Sequence, residues 1–253
     1  MIGVQLVRGR ISEYVPLLNS QDVVVEIMDL GAGADEVSLS EMEAAYRPLR
    51  DRLFSLHAPY LDQCLCSCDS TIRQYSRRSL EQALTVADGL EIRRLILHHS
   101  IFPTLPPHSD VFGRMADSLL DYLNDLQARH GVEFCLENTL DVSPDVLTEI
   151  MIRNTNKQIG ICFDVAHAAL SKVPLSQWIT QLSPWIRHVH INDFQGVYDD
   201  HLPCGTGVVD WSMPILKELV CRRDIVSIIE VASAGDARDS MNYLDSVWGM
   251  QDV

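Results

Sequence analysis

The sequence predicts a closed (β/α)8 barrel of the α/β class, and three observations carry that prediction. Eight short β-branched or apolar runs alternate with longer segments of helical period, as βαβ units around a parallel sheet require. Eight such pairs fit a chain of 253 residues, a length typical of this barrel. No Gly-rich dinucleotide fingerprint follows the first run, so the competing doubly wound open sheet lacks its usual signal.

The predicted strands cover residues 3–7, 23–28, 53–57, 95–98, 132–137, 159–164, 186–190 and 226–230. Helical spacing is clearest at 79–90, with Leu80, Ala83, Leu84 and Ala87, and at 115–126, with Leu119, Leu120, Leu123 and Leu126. Ser143-Pro144 starts a helix over 145–152, as an N-cap with proline at the first helical position. The remaining helices fit 12–18, 39–49, 175–182, 212–220 and 237–247. Two long turns, 58–71 and 101–110, follow the third and fourth strands and should overhang the C-terminal mouth as substrate walls or lids. Pro103, Pro106 and Pro107 stiffen the second.

Composition narrows the class further. With 47% apolar residues the chain can bury a large core, and no composition shift or low-complexity linker divides 1–253, which reads as a single domain. No run approaches the ~18 apolar residues of a membrane span, and no apolar N-terminal stretch leads to a cleavage site. Seven cysteines are an odd number, too sparse for a disulfide framework. The expectation is a soluble, cytoplasmic protein with reduced thiols and no membrane partner. Within Cys64-Leu-Cys66-Ser-Cys68 the spacing is too short for a paired CxxC zinc site, so exposed free thiols are expected. A net charge of −15 with only three lysines argues against a nucleic-acid partner, because neutralising phosphates takes clustered Lys and Arg.

The chemistry sits where strands stop. In a barrel the C-terminal strand ends converge on one opening. Glu137, Asp164, His190 and Glu230 end the fifth to eighth strands and together make a first shell for Mn²⁺, Zn²⁺ or a related divalent ion. One acid at a strand end reads as a helix N-cap or a surface ion pair. Three acids and a histidine at successive strands read as a metal centre, since without a cation the carboxylates would repel one another. His57 and His98 end the third and fourth strands. His167 lies one helical turn beyond Asp164, and Asp199 and His201, two apart in an extended loop, can both face inward; these three have the composition of a separate site. The Gly205-Thr-Gly207 turn can bring backbone close to a ligand.

Other candidates take plainer readings. His188 should be a hydrogen-bonded histidine inside the barrel, and His99 should point away from His98. His108 and His130 should be solvated or capping. Cys135 and Cys162 fit buried strand positions, while Trp178, Trp185, Trp211 and Trp248 read as packing around the outer helices, with Trp211 placed to shape a pocket.

A family resemblance follows from His57-Ala-Pro-Tyr60, His98, Leu136-Glu-Asn138, Phe163-Asp-Val-Ala-His167, His188-Val-His-Ile-Asn-Asp193, Asp199-Asp-His-Leu-Pro-Cys-Gly-Thr-Gly207 and Glu230. The chain resembles the xylose-isomerase-like TIM-barrel superfamily, which joins sugar isomerases and epimerases with endonuclease IV, a zinc-dependent nuclease of abasic sites. The resemblance implies that Glu137, Asp164, His190 and Glu230 hold the ion shared across the superfamily. It further implies that His57, His98 and Glu137 hold a second ion in the nuclease, and His167, Asp199 and His201 a third. From one to three divalent ions, manganese or zinc, are therefore expected.

The first functional expectation is a metal-dependent isomerase or epimerase of carbohydrate metabolism, acting on a sugar, sugar phosphate or polyol. It would run through an enediolate, with Glu137 and Glu230 as the acid/base pair and His167 against a substrate oxygen. The alternative is an endonuclease IV-like phosphodiesterase on abasic DNA, or another metal-dependent dehydratase or hydrolase. A non-catalytic barrel is least supported, because unpaired buried charge is costly without a metal or a function. Substrate identity and oligomeric state stay open, a homo-oligomer among the options.

Overall fold

The computed structural model describes residues 1–31, 38–155 and 158–249. Among them eight parallel strands close into a barrel in sequence order, as the alternating pattern predicts. The strands are β1 (Ile2–Leu6), β2 (Val24–Ile27), β3 (Leu53–His57), β4 (Arg94–His98), β5 (Glu133–Glu137), β6 (Gly160–Asp164), β7 (Ile186–Ile191) and β8 (Val226–Ile229). The seam pairs β1 with β8, Gly3 opposite Ile228 and Val4 opposite Ile229.

Around them lie α1 (Ile11–Ser20), α2 (Leu39–Tyr46), α3 (Ser70–Gly89), α4 (Asp110–His130), α5 (Asp145–Arg153), α6 (Val165–Leu170), α7 (Leu175–Leu182), α8 (Pro214–Val220) and α9 (Ala234–Trp248). The apolar stripes of α3 and α4 are buried against the sheet, Leu84 and Leu123 fully so. Both helices begin earlier than their apolar spacing suggests, because capping sets the first turn. Asp69 accepts from Thr71 N at 2.7 Å and Ile72 N at 3.2 Å, and Ser109 Oγ accepts from Phe112 N at 3.3 Å. Pro144 occupies the N-cap of α5, one position before the expected one. Helix α6 has only six residues, too few to show an apolar period.

The two barrel ends differ in chemistry. At the N-terminal end Arg94 donates to Glu133 at 2.6 and 2.8 Å, and Arg187 donates to the same carboxylate at 2.9 Å. Inside the barrel Ile96, Cys135 and Cys162 form a small buried apolar cluster. Most of the candidate acids and imidazoles gather at the other end.

The cysteine run departs from expectation. Cys66 is buried and Cys64 half-buried, and only Cys68 of the three is exposed. The loop is pinned under α3, with Cys64 N donating to Ser76 Oγ at 2.8 Å and Arg77 Nε to Leu65 O at 3.2 Å. The Cys64 thiol then reaches Ser100 O at 3.3 Å. His99 is buried too, its Nε2 3.0 Å from Asp141 Oδ2 while its Nδ1 accepts from Ile101 N. Among the described residues no helix is long and apolar enough to cross a membrane.

Candidate active site

Register places the strand-end groups side by side. Glu137 stands opposite His98 on one side and Cys162 on the other, and Asp164 stands opposite His190. Glu230 N donates to Ile191 O at 3.0 Å, which continues the line of β8 into the mouth. Glu137, Asp164, His190 and Glu230 each offer one ligand atom, all within 4.8 Å of one another, and His57, His98 and Glu137 do the same. Glu137 belongs to both groups, with Oε2 3.0 Å from His57 Nε2 and 3.3 Å from His98 Nε2. His167, Asp199 and His201 come together through the carboxylate: Asp199 Oδ2 is 3.0 Å from His167 Nε2 and 2.9 Å from His201 Nε2.

Three short-range devices hold these groups. Asp164 serves as the N-cap of α6, Oδ1 accepting from His167 N at 2.7 Å, so the capping role and a place in the carboxylate cluster coincide in one residue. Its Oδ2 accepts from Asn192 Nδ2 at 2.8 Å. Asn138 clamps the Asp164 backbone from both sides at 2.9 Å, while its own carbonyl lies 2.9 Å from His167 Nδ1. Both His167 nitrogens are thereby engaged, and contact with a substrate oxygen requires exchange of Asp199.

The third device is Asp193, fully buried, which accepts from Phe194 N at 2.9 Å, Gly205 N at 3.0 Å, Val209 N at 3.1 Å and Trp211 Nε1 at 3.1 Å. This carboxylate folds the loop that carries Asp199 and His201. The Gly-x-Gly turn serves the same end. Gly205 has φ +83°, and a Cβ there would strike the Tyr243 ring; at Gly207 a Cβ would strike Asp193 and the Phe194 carbonyl. The close approach at this turn is to the protein's own side chains and backbone.

The residue that strand-end logic misses is Glu26. It lies on β2 before the strand ends, fully buried, with Oε1 2.8 Å from His190 Nε2 and Oε2 accepting from Ser55 Oγ at 2.5 Å. His188 Nε2 is 3.1 Å from Oε2, but neither His188 nitrogen completes a directed hydrogen bond among the described residues. His188 is thus interior, as expected, without the hydrogen bond expected of it. An acid inside Val23-Val-Val-Glu-Ile-Met28 is the signal the sequence offers, since a buried carboxylate demands partners.

Electrostatics show what the arrangement accepts. Burial opposes ionisation of Glu137, yet His190, His167 and His57 outweigh it and hold the carboxyl well below its ordinary range. His190 Nδ1 faces Glu137 Oε1 at 3.2 Å and Glu230 Oε2 at 2.9 Å, and that Glu230 oxygen is buried with no directed hydrogen bond among the described residues. A second proton on His190 or a cation between these atoms removes the repulsion. Three carboxylates, one imidazole nitrogen and an orphaned carboxylate oxygen fit a divalent ion such as Mn²⁺ or Zn²⁺.

Metal uptake then competes with protons. Burial raises the Asp164 carboxyl to about 6. Burial opposes the charge on His201, but Asp199 and Glu230 prevail and raise it to about 9. A raised histidine contributes stability below its unfolded value, near 6.5, and loses it as pH climbs through 9. The metal-free protein should therefore unfold at lower temperature at pH 9 than at pH 6.5, while Zn²⁺ affinity rises over the same window with proton release. Differential scanning calorimetry and titration in buffers of unlike ionisation enthalpy measure both. A pH-independent affinity would contradict this assignment.

Above the cluster opens a cavity of about 550 Å³, lined by Gln5, Tyr60, Leu61 and Leu140 together with His57, His98, Glu137 and Glu230. Tyr60 to Asp62 supply the expected wall from the loop after β3, whereas the 101–110 turn contributes no lining among the described residues.

A family model described as xylose isomerase-like TIM barrel matches residues 28–247. The chain belongs to this family. An uncharacterised protein of Methanocaldococcus jannaschii is 27% identical over 195 residues, 74% of each chain. Among solved structures, the TTHB071 protein of Thermus thermophilus, soaked with ZnCl2, is similar at 25% identity and TM-score 0.78, covering 100% of this chain and 99% of its own. A D-tagatose 3-epimerase-like protein follows at 24% identity and TM-score 0.78, covering 98% and 97%. Endonuclease IV of Thermus thermophilus shares the fold at 19% identity and TM-score 0.66 over 99% of both chains. The structural neighbours thus include sugar epimerases as well as a nuclease.

Proposed function

We propose that the protein is a metal-dependent isomerase or epimerase of a small, uncharged sugar or carbonyl-bearing polyol derivative. One observation carries the reading: two buried carboxylates, Glu137 and Glu230, flank His190 at the foot of a cavity whose described lining holds no lysine or arginine. The sequence extends that absence, since of the eight strand-to-helix connections only the first carries either residue, as Arg8 and Arg10. Arg8 is paired with Glu41 at 2.9 Å. A cavity of this size suits a small ligand, and its negative field favours neutral over phosphorylated substrates.

Glu137, Asp164, His190 and Glu230 would hold the ion, which supplies polarisation of adjacent substrate oxygens. One glutamate takes the proton from the carbon beside the carbonyl and the other returns one, leaving an enediolate between the two steps. Leu61, Leu140 and Val231 give the cavity its apolar walls.

Incubation of metal-loaded protein in D2O with ketoses and with their phosphates tests the proposal. Deuterium should enter the carbon beside the carbonyl of a neutral ketose, with kcat/KM for the matching phosphate at least about tenfold lower, a difference of roughly 1.4 kcal/mol. A second reading, endonuclease IV-like phosphoester cleavage, draws on the convergence of His57, His98 and Glu137. Incision of an abasic-site duplex without deuterium exchange into any ketose would favour it and overturn the first.

A further inference from the structure

The barrel interior carries a carboxylate that the acid/base reading does not use. Glu26 is fully buried below the Glu137 cluster, and burying a carboxylate is costly unless its oxygens are matched. They are matched on both sides. Ser55, its register partner on β3, donates to Oε2 at 2.5 Å, and His190 Nε2 lies 2.8 Å from Oε1. An ionised carboxylate only accepts, so the proton between Glu26 and His190 belongs to Nε2.

We propose that Glu26 is a positioning residue for the metal centre: by taking the Nε2–H of His190, it commits Nδ1 to the space shared with Glu137, Asp164 and Glu230. The inference rests on the reading that this cluster holds a divalent ion. Its force comes from the neighbours of His190. The same imidazole also converges with Cys162 and His188, which lie on its inner side, all three offering atoms within 4.8 Å. His190 therefore stands between two competing groups, one of carboxylates facing the cavity and one inside the barrel. A ring whose Nε2–H is anchored on Glu26 presents a free nitrogen only toward the carboxylates. Ser55 fixes the carboxylate that does the anchoring, which explains a serine hydroxyl buried between Phe54 and Leu56 on β3. Carboxylate–histidine–metal relays of this kind orient the ring and raise its basicity as a ligand.

The test follows His190 by nitrogen NMR on histidine-labelled protein as Zn²⁺ is added, so that affinity is read at this cluster and not at the other groups. Glu26→Ala should weaken zinc binding there by about 10- to 100-fold. Glu26→Gln, which keeps the volume and an acceptor for Nε2–H, should lose distinctly less. The zinc-loaded wild type gives a readout that survives misfolding of either variant: its His190 should carry the proton on Nε2 and none on Nδ1. Proton on Nδ1 in the loaded protein, or unchanged zinc affinity in Glu26→Ala, would overturn the inference while leaving the metal centre standing. Failure of the wild type to take up zinc at His190 would overturn both.

Discussion

Glu230→Gln, assayed in the metal-loaded protein on a ketose that the wild type turns over, is expected to lower kcat by about 10²- to 10⁴-fold, the usual contribution of a positioned acid or base. Glu137→Gln should do more. Glu137 touches His57, His98, His167 and His190, at 3.0 to 3.4 Å, and is common to the His57–His98 group and the Asp164–His190–Glu230 group of convergent ligands. Its loss should empty ions from both groups as well as remove a proton-transfer group, whereas Glu230→Gln should leave the His57–His98 group able to bind. Metal content by mass spectrometry separates the two outcomes, and kinetics supply the rest. A Glu230→Gln enzyme with wild-type turnover would end the case for an acid/base pair, whatever its metal content.

Asp193→Ala is expected to be the most damaging substitution away from the proposed ligands. It would strand three backbone donors and the Trp211 indole, all bound at 2.9 to 3.1 Å to one fully buried carboxylate. Each unsatisfied buried donor costs about 1–3 kcal/mol, and partial relaxation brings the total to roughly 3–5 kcal/mol. For a chain of this size that corresponds to a melting temperature lower by about 6–20 °C, at roughly 2–4 °C per kcal/mol. Asp193→Asn keeps one acceptor oxygen and should recover part of the loss. A shift below about 2 °C on thermal unfolding followed by circular dichroism would show that the loop does not depend on this residue. The site should suffer as well, because Asp199 and His201 ride on the segment that Asp193 folds.

The eight strands and the row of groups at their ends were legible because they rest on periodicity and on barrel geometry, both of which act over the whole chain. Glu137, His98, Asp164 and His190 fall at strand ends, and parallel register places them opposite one another. What escaped depends on local or purely three-dimensional detail. Glu26 sits within an apolar strand, and its partners lie 29 and 164 residues away, so nothing nearby in sequence announces them. Cys66 is buried because a loop happens to tuck beneath α3, which composition does not encode. Asn138, Asn192 and Asp193 stand within recognisable motifs, yet their work is to hold backbone and carboxylates in place, and a motif does not say which member binds and which supports.

The spread of the cluster along the chain has a consequence for assembly. Glu26, His57 and His98 belong to β2, β3 and β4, while Glu137, Asp164, His190 and Glu230 lie at the ends of β5 to β8. The first half of the barrel therefore holds two imidazoles and a buried acid without the glutamate that would join them, and the second half holds four converging groups without the acid that orients their histidine. During synthesis the earlier half emerges with no finished binding group, so an ion cannot trap it before β5 arrives. Two separately produced fragments, split at the α4–β5 connection, should behave unequally: the first inert, the second a weak and unselective binder. A sharp rise in affinity on mixing them would signal that β4 had docked on β5 and that the seam between Gly3 and Ile228 had closed.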